Sequence, residues 1–228
     1  MQDILKHIPL FSELDNDELE SVYKLITVHD VAKKTVVLQE GEEGGSLFII
    51  IEGSVKISFY APDGREVVLS LLEEGAYFGE MSLLDKQPRS ATVSTLKDSK
   101  LAQIRRVDFE RLLLQQPKVS LKLLAETVDR LRRTSQLLER VSTMDVPHRL
   151  YFYLKDFGDS FGEKDANGAV VVKLPTHQMI ADQLSTSRET VSRAASALKK
   201  EGIIVKTGNP GESKVDMDAL ETLLQAIY

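Results

Sequence analysis

The sequence contains no cysteine in its 228 residues. Disulfides, thiolate-held zinc and iron–sulfur clusters are therefore excluded. Histidine is nearly as scarce. His7, His29, His148 and His177 are scattered, and none lies between His29 and His148, where a haem pocket in the β-rich part of the chain would need one. No apolar run approaches the ~20 residues of a membrane-spanning helix; the longest, Leu47-Phe48-Ile49-Ile50-Ile51, has the length of a buried strand. Residues Met1 to His7 have neither the basic start nor the apolar core of a signal peptide, so a cytoplasmic protein without membrane contact is expected. No nucleophile–base pair or metal-ligand set appears, and neither an enzyme nor a cofactor is expected. The net charge of -6 argues against nucleic acid in total, but the location of charge matters more than its sum.

What is present divides by texture into two small domains of an α+β chain. Asp15 is a plausible N-cap for a helix through Leu19, Val22, Leu25 and Ile26. From Val28 to Ile104 short apolar segments alternate with turns such as Glu40 to Gly45, Glu52-Gly53 and Pro62-Asp63-Gly64, which reads as a barrel or roll. Glu42, Glu43, Glu73 and Glu74 belong to such solvated turns and form no catalytic cluster. Asp108 is read as the cap of a short helix to Gln115, and Pro117 suits the first turn of a long one, with no glycine or proline from Lys118 to Asp145.

The stretch Phe78 to Val93 stands apart from the rest of the roll. Gly79-Glu80 opens a short helical turn whose backbone N–H groups can face an anion. Arg89 returns toward it after Lys86-Gln87-Pro88, and a guanidinium can hold a phosphate through two parallel hydrogen bonds. Ser90 adds a hydroxyl and a backbone donor. Glu80 would repel phosphate, but it can accept a hydrogen bond from a sugar hydroxyl. The residues alone leave two readings open: a nucleotide site, or an ordinary Glu80–Arg89 ion pair at a turn.

The long helix has an apolar seam at Leu124, Val128 and Leu131, then Ser135, Leu138 and Ser142, in the four-three steps of a two-stranded coiled coil. A dimer is expected from it. Thr134 and Ser135 lie about 100° apart around the helix, so their hydroxyls point differently; they either serve a ligand or merely solvate the helix. Asp145-Val146-Pro147 then makes a fixed bend. A helix from Leu150 is expected to end in the polar loop Gly158 to Gly168.

Thr176 caps a helix from His177 to Leu184, Ser185-Thr186 breaks it, and Ser187 caps a second from Arg188 to Glu201. The pair describes a helix-turn-helix, followed by a hairpin wing around Gly208-Asn209-Pro210-Gly211 and a terminal helix from Asp216. Arg188, Glu189 and Arg193 share an exposed face. Arginine reads guanine and glutamate reads cytosine in the major groove, while Ser187, Thr190, Thr176 and Gln178 suit backbone phosphates. Lys199, Lys200 and Lys206 supply local positive charge. An amphipathic pair with a solvated face is the plainer alternative.

Gly79-Glu80, a hydrophobic turn and Pro88-Arg89-Ser90-Ala91-Thr92-Val93 resemble the phosphate-binding cassette of cyclic-nucleotide-binding β-rolls. With Thr134-Ser135 and Ser187-Arg188-Glu189-Thr190-Val191 plus Arg193, the resemblance to the CRP/FNR family of bacterial transcription regulators, at its cyclic-AMP receptor branch, spans nearly the whole chain. It implies a β-roll sensor over residues 1–116, a dimerisation helix and hinge over 117–144, and a winged helix-turn-helix over 145–228. It further implies cyclic AMP as allosteric ligand. Gly79, Arg89 and Ser90 would hold the phosphate, Glu80 the ribose, Thr134 the adenine from the same chain and Ser135 the adenine from the partner. The implied partners are a second copy, double-stranded DNA with TGTGA-like palindromic half-sites, and RNA polymerase near the 158–168 loop. Cyclic GMP, a cyclic dinucleotide, ligand-independent activity and a nucleotide-sensing module that binds protein are the alternatives. The family has glycine where this chain has Ser185 and an acidic residue at Met179, and Ala194 and Ala195 reduce the inner face of the second helix.

Overall fold

A computed structural model describes residues 2–165, 169–209 and 211–225. The chain divides into two compact units, Met1–Arg132 and Arg133–Tyr228.

The first unit opens with α1 (Gln2–His7), a 3-10 turn (Pro9–Phe11) and α2 (Asn16–Tyr23). Asp15 caps α2 as expected and Glu18 closes the capping box. The helix stops at Tyr23, short of the expected Ile26. Ile26 instead begins a strand and pairs with Ile104, because a sheet edge is available there and outweighs helical spacing.

Eight strands follow: β1 (Ile26–Val31), β2 (Val36–Leu38), β3 (Ser46–Glu52), β4 (Ser54–Tyr60), β5 (Glu66–Glu73), β6 (Tyr77–Phe78), β7 (Thr92–Thr95) and β8 (Ser99–Arg105). The one-turn helix α3 (Met81–Leu84) lies between β6 and β7. The strands form two antiparallel sheets, in the orders β1-β8-β3-β6 and β2-β7-β4-β5. The apolar run of β3 is explained by its position. Leu47, Ile49 and Ile51 face a core shared with Phe11, Leu19 and Phe109, while Ile50 belongs to a second core with Val55, Phe78 and Val93. A strand covered on both faces has no polar side to show.

The helix α4 (Arg106–Gln115) follows, and Asp108 does not cap it. Asp108 sits inside the first turn, nearly buried, and accepts from Arg105 Nε at 2.9 Å. Pro117 begins α5 (Pro117–Thr143), an unbroken helix as expected. Its first turns are anchored in the roll by buried Val119 and Leu123.

In the second unit Asp145 caps α6 (Val146–Phe161), whose side chain accepts from the His148 amide. This helix runs through Gly158 to Phe161, past its expected end, and there Gly158 is buried. A close fit explains the glycine: a Cβ on it would stand 3.0 Å from Met217 Sδ. Ala166, Asn167 and Gly168 of the expected polar loop, and Pro210 of the expected wing turn, lie outside the described residues. The order continues β9 (Glu163–Lys164), β10 (Val170–Lys173), α7 (His177–Gln183), α8 (Arg188–Lys200), β11 (Ile204–Lys206), β12 (Glu212–Val215) and α9 (Met217–Gln225). The small sheet β11-β12-β10-β9 and the helices close one core around Leu150, Ile180, Val191, Leu198 and Leu220. Among the described residues no helix is long and apolar enough to cross a membrane.

Candidate functional site

Strand β6 delivers Gly79 into a left-handed conformation, φ +85°. The position is closed to other residues twice over: a Cβ there would also lie 2.8 Å from Arg89 Nη1 and 3.1 Å from the Ser46 carbonyl. Glu80 then starts α3, and the chain returns through Lys86 to Arg89. That side chain is 6 % exposed. Its Nη1 donates to the Gly79 carbonyl at 2.6 Å and to Ser82 Oγ at 2.8 Å, and its Nη2 donates to the Ser46 carbonyl at 2.8 Å. A guanidinium has five N–H donors, so among the described residues three are used and Nε and one Nη2 hydrogen are uncommitted. Burial, and then the neighbouring Arg106, lower the Arg89 pKa below the usual guanidinium value. An arginine still keeps its charge.

Glu80 is buried as well, and its partner is Arg130 of α5 rather than Arg89. The Arg130 guanidinium also stands 5.7 Å from the Tyr77 ring centroid. Burial, followed by Glu126, raises the Tyr77 phenol well above its usual range. Ser90 is exposed, and its hydroxyl donates to Met81 Sδ at 3.6 Å. Gly79, Glu80, Arg89 and Ser90 are thus brought together around one glycine-led turn, with the carboxylate and the guanidinium held by different partners. Thr134 and Ser135 are consecutive exposed residues of α5. On the same helix Leu124, Leu131 and Leu138 are 60 %, 65 % and 66 % exposed, which leaves the seam uncovered in the single chain. Leu121, at 68 %, extends it by one step.

Ser46, Ser82, Arg106 and Arg130 were not among the candidates read from the sequence. Ser46, Arg106 and Arg130 have partners 43, 24 and 50 residues away, and Ser82 meets Arg89 seven residues on, across the α3 turn, so no local spacing marks them.

In the second unit Thr176 and Ser187 cap α7 and α8 by accepting from the amides of Met179 (3.3 Å) and Thr190 (3.2 Å). The turn between the helices holds Ser185 at φ +51°, in the region that favours glycine. Arg188, Glu189 and Arg193 are exposed and line one concave surface with Ser192, Ser196 and Lys200, while Val191, Ala195 and Leu198 face the core. Arg193 Nη2 donates to Thr190 Oγ1 at 3.3 Å, and that hydroxyl also lies 2.9 Å from Ser187 Oγ. Gln178 donates to Asp182 at 2.7 Å. Thr176, Ser187, Thr190 and Gln178 therefore already have protein partners on the face expected to meet phosphates. His177, Lys199, Arg188 and Lys206 cluster nearby: burial first, and then the three cations, lower the His177 pKa.

Residues 28–116 match the cyclic nucleotide-binding domain, and residues 148–223 match the Crp-like helix-turn-helix domain. The chain is 31% identical over 204 residues to the CRP-like cAMP-activated global transcriptional regulator of Mycobacterium tuberculosis, covering 90% of this chain and 91% of the relative. Its fold is similar to that of a CooA mutant from Carboxydothermus hydrogenoformans (TM-score 0.77, 22% identity, 89% of each chain). It is also similar to the c-di-GMP responsive global regulator CLP of Xanthomonas campestris (TM-score 0.74, 23% identity, 88% of this chain and 98% of that one). A sensor domain for cyclic nucleotides joined to a DNA-binding domain defines a transcription regulator and not an enzyme. The chain belongs to the CRP/FNR family.

Proposed function

We propose that the chain works as a homodimer whose ligand is cyclic AMP and whose target is a palindrome of TGTGA-like half-sites. The observation that carries the ligand reading is the buried pair of opposite charges at one turn. Arg89 is oriented by neutral oxygens and keeps donors to spare, and Glu80 sits beside it on a separate partner. Arg89, Ser90 and the Gly79 backbone then hold the cyclic phosphate, and Glu80 accepts from the ribose. Thr134 and the partner's Ser135 meet the base. The exposed seam of α5 is covered by the same helix of the second copy.

Residues 1–116 form the sensor, 117–144 the dimer helix and hinge, and 145–228 the DNA-binding part. Ligand selects the state in which both α8 helices reach successive major grooves, ~34 Å apart. There Arg188, Glu189 and Arg193 read bases and Thr176 meets the backbone.

Calorimetric titration of the purified protein with cyclic AMP, cyclic GMP and cyclic di-GMP tests the ligand. Saturable binding of cyclic AMP alone is expected, with an electrophoretic shift of a TGTGA palindrome that depends on it. A cyclic dinucleotide is the second reading, supported by the likeness to the c-di-GMP responsive regulator; binding of cyclic di-GMP alone would replace the first. Nucleotide binding without any DNA shift would favour a module that binds protein.

A further inference from the structure

Arg106, the first residue of α4, turns its side chain back into the cassette. Its Nη2 donates to the Gly44 carbonyl and, at 2.8 Å, to the Ser82 carbonyl, while its backbone N–H donates to the Gly45 carbonyl at 2.9 Å. Three separated segments meet at this one residue. Ser82 is shared, since its carbonyl accepts from Arg106 and its hydroxyl accepts from Arg89. The Gly41–Gly45 loop is also tied to Arg89 itself: Gly41 N–H donates to the Arg89 carbonyl at 2.9 Å, and Arg89 N–H to the Glu42 carbonyl at 2.8 Å. Gly44 lies so close to the site that a Cβ on it would stand 2.0 Å from Ser82 Oγ and 3.2 Å from Arg89 Cζ.

The charge balance is unusual. Among the described residues neither Arg89 nor Arg106 makes an ion pair, and every hydrogen-bond partner of either guanidinium is a neutral oxygen. Among the described residues the buried Nε of Arg106 has no hydrogen-bond partner. Buried charges are normally matched by a counter-charge. Here two cations share one partly buried neighbourhood, and the carboxylates that act on Arg89, Glu80 and Glu42, form no ion pair with either of them.

We infer that Arg106 is a positioning residue of the phosphate site and its second cation, holding the Gly44–Gly45 loop and α3 around Arg89 while adding a positive field that a bound phosphate neutralises. The inference deepens the nucleotide reading and rests on it for the identity of the ligand, but not for the presence of an anion site. A clamp that only held the fold would lower stability when removed. A second cation that makes no ion pair of its own behaves differently: its removal relieves repulsion with Arg89 and weakens anion binding.

The test compares wild type with Arg106→Gln, which keeps a donor and loses the charge, and with Arg106→Lys, which keeps the charge. Arg106→Gln is expected to melt no lower than wild type without ligand, to bind cyclic AMP about tenfold more weakly and to show a shallower salt dependence of affinity. Adenosine, which has no phosphate, should bind wild type and Arg106→Gln alike. Arg106→Lys should keep most of the affinity. A lower melting temperature for Arg106→Gln with unchanged cyclic AMP affinity would overturn the inference. Inorganic phosphate separates this from the identity of the nucleotide. If no cyclic nucleotide binds wild type, a phosphate-dependent rise in melting temperature that Arg106→Gln abolishes still supports the anion site. An equal rise in both proteins overturns it.

Discussion

The two units place their charged side chains in opposite ways. In the roll, Arg89 and Glu80 are buried and bonded to the protein's own groups before any ligand arrives. On α8, Arg188, Glu189 and Arg193 stand in solvent, and the hydrogen bond of Arg193 goes to a residue of its own helix. A small ligand must be recognised by donors that are already ordered, because it offers few contacts with which to order them. A DNA surface offers many contacts and a strong field, so exposed side chains suffice. The difference shows in what a substitution does: at Arg89, which makes three hydrogen bonds inside the roll, it changes binding and folding together, and on α8 it changes binding alone.

The sharpest test of that contrast is Arg89→Lys. A point charge cannot reproduce the fork that reaches Gly79, Ser82 and Ser46, so cyclic nucleotide affinity should fall about 100-fold. The melting temperature should fall with it, because buried carbonyls lose their donors. Calorimetry and thermal denaturation on one sample measure both, and affinity equal to wild type would remove Arg89 from the phosphate role. Gly44→Ala strikes the same site through shape. Its Cβ would stand 2.0 Å from the buried Ser82 hydroxyl, and a loss of about 2 kcal/mol is expected from denaturant unfolding.

Arg188→Ala belongs to the other side of the comparison. It should cost ~1–3 kcal/mol on the specific DNA and relax preference at one G·C pair, with no change in melting temperature. A shift assay across a set of single-base variants tests this, and an unchanged base preference would break the assignment. Ser185→Gly releases a left-handed serine. A gain of about 0.5–1 kcal/mol is expected, since relief of that strain exceeds the added freedom of the unfolded glycine. The smallest effect concerns His177, whose folded pKa is depressed. The folded state loses that proton before the unfolded chain does, so the stability is complete above the unfolded value, about 6.5, and is lost as pH falls from there toward the folded value. His177→Asn should flatten the melting temperature across that window.

Legibility in the sequence follows the range of the interaction. The caps Asp15, Thr176 and Ser187 are readable because each concerns a side chain and an amide within three positions, and the start at Pro117 because proline by itself suits a first turn. The short-range reading failed where a distant partner decided. Ile26 left the expected helix for a strand beside Ile104, and Gly158 stayed helical against Met217. Asp108 was placed one turn too early, since an acidic residue in the first turn and one at the cap look alike until Arg105 is seen to hold it. Four of the expected ligand residues, Gly79, Glu80, Arg89 and Ser90, come together in one turn, but the Arg130 and Arg106 that complete their surroundings come from distant segments. The lone Glu80–Arg89 pair that the residues left open is not formed. The helix-turn-helix was visible because both caps and the apolar positions of each helix are local.

If the exposed leucines of α5 close the proposed dimer, copy number becomes part of the signal. On the proposed dimer, association is second order in protein while ligand binding is first order in nucleotide, so the occupied regulator grows with both concentrations. Dilution alone then lowers the response at a fixed level of nucleotide. A cell could retune such a switch by changing how much of the chain it makes, leaving every residue of the pocket as it is.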